Sequence, residues 1–250
     1  RSVGITGGTG LLGRHFIKFL LKKKIQIFAT YRNQIPFQNK NISWIKTDLS
    51  KLTKNKNIIK YFSNIDFLIL NAATTRISKY KKDYNQDIES TRKLSKWCLK
   101  KKIPLAYISG SIVYKNRKKY VNEKNLFSTN PTGKFYGLSK INSEKIIEKN
   151  RKKGLKAIII RPTSIYGYGQ NKFKLIFKIK DNLKNKIPVK IYKSQEKINL
   201  IHASDVVKAV YKLYIKKKFG IFNISFRKNY SLAEIVEIIS KIYGIKTYKE

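Results

Sequence analysis

The segment SVGITGGTGLLGRHFIKFLLKK, residues 2–23, constrains the fold more than any other stretch of the chain. A short apolar run, SVGIT, stops at a glycine-rich turn. A helical pattern follows, with Leu12, His15, Phe16, Phe19 and Leu20 at helical spacing. Gly7, Gly10 and Gly13 stand three residues apart, in a G-x-x-G-x-x-G arrangement between a strand and a helix. Glycines at such a turn let the backbone bend tightly and approach a pyrophosphate, whose charge meets the N-terminus of the helix. An isolated glycine motif is an ordinary tight turn. Here the strand before it and the helix after it supply the context that a dinucleotide-binding unit requires.

The rest of the chain repeats the alternation. IQIFATY, ISWIKT, DFLILNAA, PLAYISGS and KAIIIRP read as further strands. Between them lie helical patterns, roughly over 84–101 and in YGLSKINSEKIIEKNRKK. Alternating strands and helices predict a parallel sheet with helices on both faces. The continuous apolar runs FLIL and AIII fit strands buried on both sides. The fold class expected is α/β, a Rossmann-type doubly wound parallel sheet with a smaller C-terminal substrate lobe. The division is expected near residue 164, with an NAD(P)-binding domain over 1–164 and the lobe over 165–250. The lobe is expected to interleave with the first domain and to be incomplete at its C-terminus.

Composition narrows the class further. Hydrophobic residues are 42% of the 250, enough for a sizeable core. Lysine and arginine number 56 against 14 acidic residues, a net charge of +42. Such a charge suits a polyanionic partner. The excess, however, is 47 lysines spread through the whole chain, together with abundant Ile and Asn, which matches a coding bias better than a nucleic-acid surface of clustered Arg and aromatics. No specific nucleic-acid binding is therefore expected, although the field attracts anionic small molecules, nucleotides included. The lone cysteine, Cys98, excludes an internal disulfide, suits a reducing compartment and sits in a helical pattern as packing. No apolar run approaches ~18 residues, and no signal peptide is visible. A cytoplasmic protein with no membrane insertion and no metal site is expected.

Cofactor choice rests on the end of the second strand. An acidic residue about 20 positions beyond the glycine turn binds the ribose 2′-hydroxyl of NAD. FATYRN holds no acid there. Arg32 stands in its place, with Arg14 directly after Gly13, so a 2′-phosphate and hence NADP are favoured, with NAD as the alternative. Asp48, beside Leu49, is placed to meet the adenine amino group, and Asn71, Ala72 and Ala73 are placed along the cofactor beyond the fourth strand.

YGLSK sets Tyr136 and Lys140 four apart at a helix start, on one face. A lysine ammonium and a nicotinamide cation near a phenol favour phenolate and so a usable acid/base near neutrality. The same spacing also begins at Tyr114, Tyr120, Tyr168 and Tyr214. Context selects Tyr136, which follows the fifth strand and opens an amphipathic helix. The serines of YISGSIVYKN, Ser109 and Ser111, lie where the fifth strand leaves the sheet.

With these residues in place, the chain resembles the extended short-chain dehydrogenase/reductase family, in particular its nucleotide-sugar epimerases and reductases. TGGTGLLG, YGLSK and RPTSIYGYGQ match in order and spacing, and INLIHASDVVKAV resembles the segment ending in His-x-x-Asp, here His202 and Asp205. The resemblance implies hydride transfer to or from NAD(P), coupled to proton transfer by Tyr136 with Lys140 beside it. It also implies a sugar-nucleotide substrate and a homodimer formed through a four-helix contact. It places Gly7, Gly10, Leu11, Leu12, Gly13, Arg14 and Arg161 at the cofactor. Thr74, Ser109, Ser111, Ser164, Lys197 and His202 fall on the substrate side.

Three departures bear on the reaction. The family's catalytic Ser/Thr position falls on Gly110; Ser111 is the preferred substitute, with Ser109 the other candidate. No Asp-Glu pair follows that position, which disfavours a dehydratase. The diphosphate-binding arginine is replaced by Ile198, with Lys197 adjacent. The leading expectation is an NADP-dependent oxidoreductase or epimerase that reduces a 4-keto group or epimerises C4 of a nucleotide-linked sugar, as in polysaccharide biosynthesis. A reductase of a non-sugar carbonyl and a non-catalytic NADP-binding sensor or scaffold are the alternatives.

Overall fold

The computed structural model describes residues 1–47, 60–74, 81–115, 121–125, 127–131, 133–171, 174–187, 189 and 197–245. The predicted alternation is present. β1 (Ser2–Thr6) leads into α1 (Leu11–Leu21), then β2 (Gln26–Tyr31), β3 (Ile42–Lys46), β4 (Phe67–Leu70), α2 (Lys81–Lys101) and β5 (Leu105–Ile108). A 3-10 turn (Ser111–Val113), α3 (Phe135–Arg151) and β6 (Ala157–Pro162) complete the first part. Then come β7 (Ser164–Tyr166), α4 (Leu175–Lys184), β8 (Ile198–His202), α5 (Ala203–Ile215), β9 (Gly220–Ile224), β10 (Asn229–Tyr230) and α6 (Leu232–Tyr243).

Seven strands form one parallel sheet in the order β3-β2-β1-β4-β5-β6-β9. The order reverses between β1 and β4, which opens a crevice at the carboxyl ends of these two strands. Strand alternation sorts the apolar side chains onto two faces. Phe67, Ile69, Ala106, Ile108, Ile158 and Ile160 pack with Phe16 and Ile17 of α1 and with Val206, Val207 and Val210 of α5. Leu68, Leu70, Leu105, Tyr107, Ala157 and Ile159 pack on the other face with Leu94 and Cys98 of α2 and Ile147 of α3. Cys98 is fully buried there, and burial drives its thiol pKa well up, so it is a packing residue.

The chain after residue 164 does not form a separate block. α5 packs on α1, and β9 extends the main sheet beside β6. A second, three-stranded sheet, β10-β8-β7, and the helices α4 and α6 make the smaller layer, with its own core of Ile179, Leu183, Ile235, Val236 and Ile239. The two parts are interleaved in the chain, since α5 and β9 belong to the first layer. Among the described residues, no helix is long and apolar enough to cross a membrane.

The glycine turn is braced from both neighbouring strands. Gly7 N–H donates to Thr30 Oγ1 at 2.9 Å and Gly8 N–H to the Thr30 carbonyl at 2.8 Å, at the end of β2. Past β4, the N–H groups of Asn71 and Ala72 both donate to Thr6 Oγ1 at 3.0 Å, and Asn71 Nδ2 donates to the Gly7 carbonyl at 3.2 Å. Gly7 has φ +70°, and a side chain there would meet Ala72 Cα at 2.9 Å. At Gly13 a Cβ would sit 2.2 Å from the Gly7 carbonyl oxygen, so helix and turn touch backbone to backbone. At Gly10 the corresponding distance is an ordinary 3.4 Å. We expect Gly13→Ala to lower stability by about 3 kcal/mol and Gly10→Ala by less than about 1 kcal/mol, read as urea midpoints of the two variants.

Candidate active site

The crevice at the carboxyl ends of β1, β4 and β5 gathers most of the described residues expected from sequence. α1 begins at Leu11, directly after the turn, and its first turn carries no acidic side chain. The half-buried Leu11 and the core residue Leu12 therefore present backbone N–H groups and the positive end of the helix dipole to the crevice. A backbone cradle that a Cβ would block, closed by a helix N-terminus, fits a dinucleotide pyrophosphate. Arg14 is exposed, and its Nε donates to the Thr9 carbonyl at 2.8 Å. Arg32 is exposed, immediately beyond β2. Asp48 and Leu49 lie outside the described residues. Asn71 and Ala72 support the turn, as described above, and Ala73 and Thr74 continue along the crevice.

Tyr136 stands in the first turn of α3, its N–H donating to the Gly133 carbonyl at 2.9 Å. Lys140, one turn on, is buried at 4% exposure. Its Nζ donates to the Ile108 carbonyl at the end of β5 (2.8 Å) and lies 5.7 Å from the centre of the Tyr136 ring. The lysine is thereby fixed between the sheet edge and the phenol. Burial pulls the Lys140 pKa down to about 8, opposed by the carboxylates of Asp87 and Glu144. Burial, then Asp87 and Tyr84, push the pKa of Tyr136 up to about 12, so the protein's own groups favour the neutral phenol. The described alternatives are unsuited to acid/base work. Tyr114 is buried with its hydroxyl held at 2.6 Å from Asn223 Oδ1, Tyr168 is 84% exposed, and Tyr214 stacks on Phe67 at 4.0 Å. Tyr120 lies outside the described residues.

The two serines separate cleanly. Ser109 is buried and its hydroxyl donates to Glu144 Oε1. Ser111, in the 3-10 turn, is half-buried, and among the described residues its hydroxyl has no hydrogen-bond partner. Gly110 between them is extended, with φ −178°. A side chain there would have nothing nearer than 3.7 Å, so glycine is not sterically required. Ser109, expected at the substrate, is therefore held in the interior, and Ser111 is the partly exposed hydroxyl of the two.

Arg161 also needs correction. Expected at the cofactor, it is 2% exposed and wholly engaged inside the protein. Its guanidinium donates to Glu144 through Nη2 at 2.6 Å and Nε at 3.0 Å. Nη1 reaches the Tyr114 hydroxyl at 2.9 Å and the Glu123 carbonyl at 3.1 Å. Glu123 Oε1 in turn accepts from Asn223 N–H on β9 at 2.7 Å. One polar network thus joins β5, α3, β6, β9 and the Tyr114 loop directly beneath Lys140. Of the remaining substrate-side candidates, Ser164 and Lys197 are exposed. His202 accepts from Ser204 N–H at the start of α5 and packs edge-on against His15 and Tyr166, which makes it a helix cap. Ser164 lines a cavity with Tyr166, Gln170, Lys174 and Leu200, beside the smaller layer.

Three residues of the site escaped the sequence reading: Glu144, Asp87 and Tyr84. Glu144 continues the four-residue spacing of Tyr136 and Lys140 along one helix face. Asp87 and Tyr84 occupy the buried face of α2, in the order Tyr84, Asp87, Thr91, which is helical spacing with an acid on the inward side.

Comparison with known proteins places the chain in a family. The model of the NAD dependent epimerase/dehydratase family matches residues 3–225, and the chain belongs to that family. It is 25% identical to the ADP-L-glycero-D-manno-heptose-6-epimerase of Brachyspira hyodysenteriae, over 96% of this chain and 80% of that protein. It is 22% identical to the dTDP-4-dehydro-6-deoxy-D-allose reductase of Streptomyces bikiniensis, over 98% and 82%. Among solved structures, the UDP-glucuronic acid 4-epimerase of Bacillus cereus in complex with NAD superposes with a TM-score of 0.87 at 21% identity, covering 100% of this chain and 86% of that one. That likeness confirms the doubly wound fold.

The network yields a stability test. Arg161→Met leaves Glu144 buried without its cation and is expected to cost about 3–5 kcal/mol. Replacing both partners, as Glu144→Leu with Arg161→Met, is expected to recover part of that loss, read by thermal and urea unfolding.

Proposed function

We propose that the chain is an NADP-dependent oxidoreductase or epimerase of a nucleotide-linked sugar, reducing a 4-keto group or inverting C4, with Tyr136 as proton donor and acceptor. The observation that carries this reading is the Tyr136–Lys140 pair on one face of α3, with the lysine held against the end of β5. A bound nicotinamide dinucleotide supplies or takes up the hydride. Everything else falls to the chain. The glycine turn and the first turn of α1 hold the pyrophosphate, Lys140 orients the Tyr136 hydroxyl, and Ser111 donates a hydrogen bond to the reacting oxygen. A neutral phenol is the form that delivers a proton to a carbonyl oxygen, which leans the assignment toward reduction.

Two exposed arginines at the edge of β2 and α1, with no acid at the end of β2, support NADP over NAD. The absence of a carboxylate after Gly110 argues against dehydration. The cavity beside Ser164, with Lys174 on its rim, is the assigned place for the sugar-nucleotide portion, and Lys197 is assigned to its diphosphate. The groove between α2 and α3, lined by Ile88, Arg92, Asn142 and Ile146, is the surface assigned to a homodimer.

Fluorescence titration is expected to show NADPH binding about 10-fold more tightly than NADH, a difference of about 1.4 kcal/mol. Arg32→Ala should erase most of it; tighter NADH binding overturns the cofactor assignment. On a panel of keto-sugar nucleotides, Tyr136→Phe should lower turnover by about 10²–10⁴-fold while binding dinucleotide normally. Ser111→Ala should also be impaired, whereas Ser109→Ala should lose mainly stability. Full turnover by Tyr136→Phe on a good substrate would remove the proton-transfer role.

A further inference from the structure

The lysines are scattered along the sequence, yet the fold gathers a set of them at one edge. The runs KKK at 22–24, KKK at 100–102, KK at 152–153 and KKK at 216–218 lie at the ends of α1, α2, α3 and α5. All eleven lysines are exposed. Each run is followed closely by a strand of the main sheet: β2 from Gln26, β5 from Leu105, β6 from Ala157 and β9 from Gly220. These strands are parallel and their starts align, with Ser2 beside Gln26, Leu68 beside Leu105, Leu105 beside Ala157 and Ile158 beside Gly220. All four runs therefore stand along the amino edge of the sheet, opposite the crevice at the carboxyl ends. From β2 to β9 that edge is about 24 Å wide, at the ~4.8 Å spacing of strands.

Contacts tie the runs into one surface. Lys23 Nζ lies 5.2 Å from the Phe19 ring of α1 and 5.1 Å from the Tyr211 ring of α5, so the two helix ends meet. Leu105 N–H donates to the Lys156 carbonyl at 2.9 Å, joining the starts of β5 and β6. A Cβ on Gly220 would lie 4.0 Å from Arg151 Nη2, which brings the end of α3 to the start of β9. Among the described residues, the acids placed at this edge are Asp66 and Glu148. Asp66, just before β4, accepts from Ser2 N–H at 2.8 Å, and Glu148, in the last turn of α3, pairs with Arg151 at 2.6 Å. Backbone conformation argues against a capping role alone. Lys24, Lys102 and Lys217 have φ of +54°, +57° and +51°, a left-handed region that penalises a side chain and is usually filled by glycine at a helix end. A cation in the last turn is enough to meet the helix dipole, whereas here the charge continues into the strained position beyond it.

We propose that the amino edge of the sheet is an interaction surface for an anionic lipid bilayer, which it meets electrostatically and without insertion, leaving the crevice on the far side. Exposed ammonium groups within a Debye length of acidic headgroups are drawn by their negative potential and need no fixed register to bind. The chemistry is less suited to nucleic acid. The four runs hold no arginine fork to grip a phosphate or a base edge, and Arg151, beside the third, is paired with Glu148. The nearest rings are occupied as well. Tyr211 lies under Lys23 and against Phe19, and Tyr214 stacks on Phe67 at 4.0 Å, so neither is open to a base. Because this surface lies opposite the crevice, the proposal is independent of the reaction assigned above.

Co-sedimentation with vesicles tests this on the whole chain. At about 100 mM salt the protein is expected to bind phosphatidylcholine vesicles containing roughly one-third phosphatidylserine and to stay free of pure phosphatidylcholine. Lys22→Gln, Lys101→Gln, Lys152→Gln and Lys216→Gln, combined, neutralise one lysine of each run and should weaken binding about 10-fold or more. The same four positions changed to arginine should keep it. Lys124→Gln, Lys178→Gln, Lys186→Gln and Lys241→Gln remove equal charge from exposed sites elsewhere, and should change affinity less than about 2-fold. Equal losses in the two glutamine sets assign binding to the diffuse field of the chain and overturn the proposal. So does absence of binding to the acidic vesicles, or a mixed-sequence DNA duplex that binds more tightly than they do. A second measurement needs no variant. On acidic vesicles, lysine acetylation read by mass spectrometry should be suppressed at the four runs and not at Lys124 or Lys178; uniform suppression, or suppression elsewhere alone, overturns the assignment of this edge.

Discussion

The ion pair of Glu144 with Arg161 is the interaction around which the site is built. Both side chains are essentially excluded from solvent, at 0% and 2% exposure, and the contact is 2.6 Å. Two charges in such an interior are tolerable only when every remaining donor and acceptor is satisfied. Ser109, Tyr114 and the Glu123 carbonyl do that work, and Asn223 extends the chain of bonds to β9. The consequence is geometric. α3 cannot slide or rotate against β5 and β6 without breaking several buried hydrogen bonds, and Tyr136 and Lys140 ride on α3.

Lys140 sits directly above this network, where dehydration and charge compete. Removing an ammonium from water favours the neutral amine; nearby carboxylates favour the cation. The protein resolves the conflict by placing acids on two different helices. Glu144 belongs to the same helix face as the lysine and is already paired. Asp87 arrives from α2 and is anchored to the loop after β4.

The large features were legible because they are local. The glycine turn, the strand–helix alternation and the two-faced strands all follow from residues a few positions apart, and each is found where the pattern put it. The two serines show where that reasoning stops. Ser109 and Ser111 are two residues apart in YISGSIVYKN and both are candidates, yet one is buried against Glu144, 35 residues away, and the other is partly exposed. Arg161 misled for the same reason. The family resemblance places it at the cofactor, and the anion it meets is the internal carboxylate of Glu144 on α3. The lobe after residue 164 is expected to interleave with the first domain, and α5 and β9 return to the first layer by contacts far apart in sequence.

The sequence by itself determined that this chain is a doubly wound α/β protein, with a glycine-rich turn after its first strand and a tyrosine–lysine pair on one helix. It could do so because backbone conformation and period-2 or period-3.6 burial are set by near neighbours. The tertiary structure alone decided which serine is spent in the interior, which arginine is closed to ligands and which carboxylates surround the lysine. Those outcomes depend on burial and on partners brought together from distant segments, and charge and hydrogen bonding in a dry interior are properties of the assembled neighbourhood, not of the residue.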